Sequence, residues 1–243
     1  VAQVICRYRK GDEVRWISHL DVKRTLERAM RRAELPLALT EGHSPHPKIS
    51  LGPPLPLGAT GEGELLAFHL REAMQSGEVK GRLNEQLPPG LEVVEAWGPP
   101  AHSKRETFGD IDVAEYRVTV RDGVYLDEVG RRVEELLGER ELIVTRGGKR
   151  PARKVDLRPL ILSLSVADAA PGELVLSMRL RTGSHGGARP QEVVGLLGLG
   201  ECEGEVRYQR TGLFVSAKAS AAAGRGIWRR WGRSRAKRRA EGS

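Results

Sequence analysis

Cysteine is nearly missing from this chain of 243 residues: only Cys6 and Cys202 occur, far apart. Two such thiols cannot by themselves build a four-ligand zinc site or an iron–sulfur cluster. Aromatic residues are also scarce, at 5% of the chain with three Phe, four Tyr and four Trp. No aromatic cluster of the kind that stacks bases on an RRM sheet is present. No window approaches about 18 consecutive apolar residues, which excludes a helical membrane span. Val1 to Lys10 lack the apolar core of a signal peptide. The two thiols are therefore expected to be reduced, in a cytoplasmic protein. The glycines at 42, 52, 58, 61 and 63 fit neither G-x-G-x-x-G nor the P-loop pattern. No cofactor and no metal are expected.

What is present is a foldable amount of apolar residue, 39%, beside 30% charged residues, too apolar a mixture for a wholly disordered chain. The net charge of +8 misleads, because residues 225–243 carry eight Lys and Arg against one Glu. That tail accounts for +7, leaving +1 for everything before it. Residues 217–243, an Ala/Ser/Gly stretch followed by arginines with Trp228 and Trp231, are expected to be a disordered basic tail.

Along the body, β-branched alternation over 1–8 predicts a strand. Ser18 and Asp21 form the acidic variant of a capping box and start a helix. Its buried stripe is Val22, Leu26, Ala29, Met30 and Ala33, with Lys23, Arg24, Glu27, Arg28, Arg31 and Arg32 off that stripe. Pro36 stops it, and Leu37 to Thr40 reads as a strand. Residues 64–70, 79–87 and 91–97 read as strand, helix and strand. The order β-α-β-β-α-β is that of a ferredoxin-like unit, two helices on one face of an antiparallel sheet. A linker over 98–108 precedes a second set in the same order. The expected class is α+β: two tandem ferredoxin-like units, 1–98 and 109–216, then the tail 217–243.

Residues 41–63 interrupt the first unit. Pro45, Pro47, Pro53, Pro54 and Pro56 make this stretch impossible as helix and poor as strand. Yet Ile49, Leu51, Leu55 and Leu57 give it something to bury, so a functional loop is expected. His43 and His46 sit here and could ligate a metal, act as acid or base, or merely bond loop backbone. The loop is expected to fold over the start of the first helix. That would bring His46 and Lys48 to His19 and Arg15, a cationic cluster at a helix N-terminus suited to an anion.

The second basic feature is Arg146, Lys149, Arg150, Arg153 and Lys154 around Gly147 and Gly148, with Arg158 close behind. A Gly-containing basic hairpin suits phosphate contacts, and a solvated hairpin tip is the plainer alternative.

The segments Arg7-Tyr-Arg-Lys-Gly11, Trp16-Ile-Ser-His-Leu-Asp21, Glu41-Gly-His-Ser-Pro-His-Pro-Lys-Ile-Ser50, Pro54-Leu-Pro-Leu-Gly58 and Val155-Asp-Leu-Arg-Pro159 resemble the bacterial radical-SAM-linked domain of unknown function. The resemblance covers roughly residues 2–215. It implies a radical-SAM protein as a partner on a separate chain. It also sets position 43 aside, since that family usually has an aromatic residue there, and leaves His46 as the loop histidine.

The expected function is an accessory module that binds structured RNA, tRNA or rRNA, and presents it to the radical-SAM partner. The alternatives are a metal-independent RNA endonuclease using His19 and His46 as base and acid with Lys48 on the phosphate, and a protein scaffold without RNA.

Overall fold

The computed structural model describes residues 2–98, 108–121, 126–147, 151–170, 172–183, 186–200 and 205–216. The chain is mixed α+β with mostly antiparallel sheet, and divides into two compact units at residues 109/110. The linker read at 98–108 and the tail 217–243 fall almost entirely or entirely outside the described residues.

The first unit runs β1 (Ala2–Lys10), α1 (His19–Arg32), β2 (Ile49–Leu51), β3 (Ala59–Leu70), α2 (Ser76–Gln86) and β4 (Leu91–Trp97). Its antiparallel strands lie in the order β4-β1-β3-β2. Alternation in β1 turns Val4, Cys6 and Tyr8 to one face, where Leu66 and Phe68 of β3 join them. Both helices cover that face, α1 with Val22, Leu26, Ala29 and Met30 and α2 with Val79 and Leu83. Cys6 is fully buried there, and loss of solvent pushes its thiol up to about 12. At neutral pH it is a packing group and not a nucleophile.

The start of α1 is built as its sequence indicated. Ser18 Oγ accepts the Asp21 amide at 3.2 Å and donates to Asp21 Oδ2 at 2.6 Å. The hydroxyl's bond holds the Asp21 carboxyl below its ordinary range. Ile17 before the cap packs on the cluster that buries Val22, forming a hydrophobic staple. The helix ends in a Schellman motif, with Leu35 N donating to Met30 O at 3.2 Å and Glu34 N to Arg31 O at 3.1 Å. The left-handed position falls on Glu34 (φ +52°), where glycine is usual.

Two expectations need correction. Leu37–Thr40 is not a strand and makes only isolated bridges, Leu37 to Leu70 and Leu39 to Pro47. Pro47 has no amide hydrogen, so the pairing holds only Thr40 N to His46 O and Lys48 N to Ala38 O. The second strand is instead Ile49–Leu51, inside the stretch read as poor strand. Pro47 and Pro53 bracket it, and the residues between them keep every amide hydrogen. In addition, β3 begins at Ala59 and not near Glu64.

The second unit runs β5 (Val113–Arg121), α3 (Leu126–Gly138), β6 (Ile143–Arg146), β7 (Arg153–Asp156), β8 (Ile161–Ala170), β9 (Glu173–Arg181), α4 (Pro190–Leu196) and β10 (Val206–Phe214). Its main sheet is ordered β10-β5-β9-β8 and is antiparallel throughout. The β6–β7 hairpin is a separate two-stranded sheet inserted between α3 and β8.

Two substitutions, one within α1 and one just past its end, should act in opposite directions. Leu26→Ala empties a fully buried position and should cost about 2–5 kcal/mol. Glu34→Gly relieves the left-handed strain and should gain about 1 kcal/mol. Urea unfolding followed by circular dichroism reads both, and a Glu34→Gly variant no more stable than the parent would refute the strain argument.

Candidate functional site

The turn that leads into α1 is fixed from below by Lys10. Its ammonium is buried and donates to Arg15 O at 2.9 Å and Ile17 O at 3.2 Å. From above, Gly58 N donates to Arg15 O at 3.0 Å, so the end of the Pro-rich stretch does close over the start of the helix. Gly58 has φ +79°, and a Cβ there would lie 2.7 Å from Trp16 Cζ3. Only glycine lets this loop reach the indole. Trp16 nonetheless keeps 66% of its surface exposed, with the Arg15 guanidinium 5.2 Å from the ring centroid.

The expected cluster does not form. Lys48 lies at the opposite end of β3, where its carbonyl accepts from His69 N at 3.2 Å. His69 pairs with Gln3, whereas Gly61 pairs with Lys10 beside the turn into α1. Eight residues of strand separate those two positions, roughly 26 Å at about 3.3 Å per residue. His19 and Arg15 are therefore at one end and His46 and Lys48 at the other. Two histidines so placed cannot serve one phosphate, which removes the endonuclease arrangement. His46 is exposed and closes its own loop: its Nδ1 lies 3.2 Å from both Thr40 Oγ1 and Ser44 O, and its amide donates to Thr40 Oγ1 at 3.1 Å. His43 is exposed nearby, and no group of three potential metal ligands gathers among the described residues.

The basic hairpin is also corrected in part. Arg146 is half-buried in a bidentate pair with Glu192, both N–O distances being 2.6 Å, and gives a third bond to Gly187 O at 2.7 Å. Arg158 turns to the end of α3 and donates to Leu137 O at 2.9 Å. Asp156 accepts from Leu142 N at 2.8 Å and Arg158 N at 2.9 Å, and these bonds lower its pKa. Thus Val155-Asp-Leu-Arg-Pro159 is the base of the hairpin, with Leu157 fully buried. Arg153 and Lys154 are exposed on β7, while Lys149 and Arg150 lie outside the described residues.

A surface not singled out from sequence lies along α1. Arg24, Arg28 and Arg31, at i, i+4 and i+7, are all exposed on its outer face. Arg24 has Asp21 at 3.5 Å, whereas Arg28 and Arg31 make no ion pair among the described residues. The same row begins at Leu20, 53% exposed, close in sequence to Trp16, and Leu57, 58% exposed, adjoins Gly58. The signal was legible as the residues left off the apolar stripe of α1. What could not be read was which of them lacked partners.

With this geometry in place, the comparisons define a class. Residues 3–190 match the family described as an uncharacterized protein conserved in bacteria (DUF2344), and the chain belongs to that family. No curated protein matches the sequence. Among solved structures, the chain is similar to one in a Cbf5–Nop10–Gar1 complex, at 12% identity and TM-score 0.45, covering 87% of this chain and 49% of that one. It is similar to one in an H/ACA RNP bound to a substrate RNA containing 2′-deoxyuridine, at 13% identity and TM-score 0.45, covering 86% and 47%. An unknown protein from Galdieria sulphuraria is similar at 13% identity and TM-score 0.28, covering 86% and 98%. The chain spans about half the length of the first two, and likenesses this distant carry no argument about what it binds. Among the described residues, no helix is long and apolar enough to cross a membrane.

The Arg146–Glu192 pair carries a pH dependence. Burial raises the Glu192 pKa, but the Arg146 bonds and the Arg189 amide outweigh it and leave the carboxyl below its ordinary range. A depressed folded-state pKa stabilises the fold at neutral pH, and this contribution is lost as pH falls through the folded value. Glu192→Gln should therefore flatten the acid limb of the stability profile measured by urea unfolding. Arg146→Ala should cost about 1.5–3 kcal/mol at neutral pH, as loss of a charged hydrogen bond does. An Arg146→Ala variant of unchanged stability would return Arg146 to the candidate phosphate contacts.

Proposed function

We propose that this protein binds structured RNA by its phosphates and serves as an accessory module to a radical-SAM protein on a separate chain. The observation that carries the RNA reading is the outer face of α1. At about 1.5 Å per residue, Arg24, Arg28 and Arg31 stand about 6 and 4.5 Å apart along the helix axis. A row of cations spaced by one helix turn can meet successive phosphates of one RNA strand. The chain before the tail carries only +1, so this row is a local concentration and not part of a generally basic body. Arg153 and Lys154 offer a further cationic edge in the second unit. The partnership rests on the family resemblance of the motifs at 7–11, 16–21 and 41–58. The sheet orders support reading both units as ferredoxin-like, the second interrupted by the β6–β7 hairpin. Phosphate recognition, and not base stacking on a sheet, fits the few aromatic residues available.

Electrophoretic shift of total tRNA and rRNA with the full chain tests the reading. The double variant Arg28→Glu/Arg31→Glu should lose at least tenfold in affinity. Its slope of log affinity against log salt should also be shallower by about two, one per lost phosphate contact. Unchanged affinity and slope would remove the α1 face from the interface and the proposal with it.

A further inference from the structure

We infer that the α1 surface takes single-stranded RNA, with one unpaired base stacked on Trp16 and the adjoining backbone running along Arg24, Arg28 and Arg31. This rests on the RNA-binding reading above and names its substrate more closely. An indole 66% exposed is a large apolar surface left in water, on a chain with only four tryptophans. It is also held in place. Arg15 lies over the ring, Gly58 approaches it at a distance no other residue would allow, and the Lys10 ammonium fixes the turn below. A held, exposed aromatic costs little further entropy on contact, which is what a stacking platform requires.

The occupant follows from charge. Trp16, Leu20 and Leu57 are exposed apolar groups at the start of the arginine row, and the acids beside that row each have a cation of their own: Asp12 pairs with Arg15, Asp21 with Arg24 and Glu27 with Lys23. An apolar protein helix would match the platform and not the arginines. A duplex would match the arginines, but its bases are stacked inside and cannot reach the indole. A single strand presents a phosphate and an unstacked base in every nucleotide and matches both.

The test compares a labelled dodecamer of uridylate with the same strand paired to oligoadenylate, binding to the full chain at one salt concentration. Trp16→Ala should weaken single-strand binding roughly 5- to 100-fold, the usual loss for a base–aromatic stack. Trp16→Phe should keep most of it, and duplex affinity should change less than twofold. If Trp16→Ala binds the single strand like the parent while Arg28→Glu/Arg31→Glu does not, stacking is overturned and phosphate binding stands. Equal losses for strand and duplex also overturn the platform. Failure of the parent to bind either RNA overturns both readings. If polyglutamate displaces the strand and itself loses affinity in Trp16→Ala, the occupant is an acidic polypeptide and the RNA assignment fails. Unchanged melting of Trp16→Ala, expected for so exposed a side chain, keeps these outcomes apart from unfolding.

Discussion

The surface of the first unit depends on one buried charge. Lys10 ends β1 with its ammonium out of solvent, and a charge in that position must be hydrogen-bonded to be tolerated. It spends two donors on the carbonyls of Arg15 and Ile17, one residue on either side of Trp16. The end of a central strand thereby fixes the height and direction of the turn that enters α1. Ser18 then caps the helix, Ile17 is pressed onto the core, and Trp16 is left facing outward. The orientation of the arginine row follows, since the helix phase is set by its first turn.

The Pro-rich stretch completes this arrangement without being one site. Its two ends serve opposite ends of β3. Residues 40–48 form a short closed loop around Thr40 and His46. Residues 49–51 add a strand, and Gly58 closes on Trp16. Proline explains both the length and the order. It forbids helix and limits the alternative conformations of the unfolded chain, so ordering this stretch costs less than its length implies. It also confines the short strand to the five residues between Pro47 and Pro53 that retain their amide hydrogens.

What could be read from sequence was local. The α1 cap and the apolar stripe of α1 arise within a few residues of chain, and both are present. What could not be read was pairing over distance. Arg146 looks like a hairpin cation until Glu192, 46 residues on, is seen to hold it with both carboxylate oxygens. Arg158 looks the same until α3 presents Leu137 O. His46 and His19 share a loop–helix neighbourhood in sequence but not in space, because β3 is twelve residues long and each attaches at a different end. Exposure of Trp16 was hidden for a similar reason, because Gly58, whose backbone meets the indole, lies 42 residues on.

The arginines of α1 are best understood through what they cost the helix. Arg31 and Arg32 sit in the last turn, where the helix dipole favours cations, so part of the basic run has a structural reason. Lys23 has Glu27 one turn on at 3.7 Å, the ordinary way to steady an exposed cation. Arg28 has neither benefit. One turn before it stands Arg24 and one turn after it Arg32, and each like-charge pair at that spacing costs a few tenths of a kcal/mol. A helix selected only for stability would place a glutamate at 28, one turn from both Arg24 and Arg32. The repulsion persists in a body that is otherwise almost neutral, and a polyanion lying along the row would relieve it. The unfavourable term in the free protein thus becomes a favourable difference on binding, and it is largest at the centre of the row.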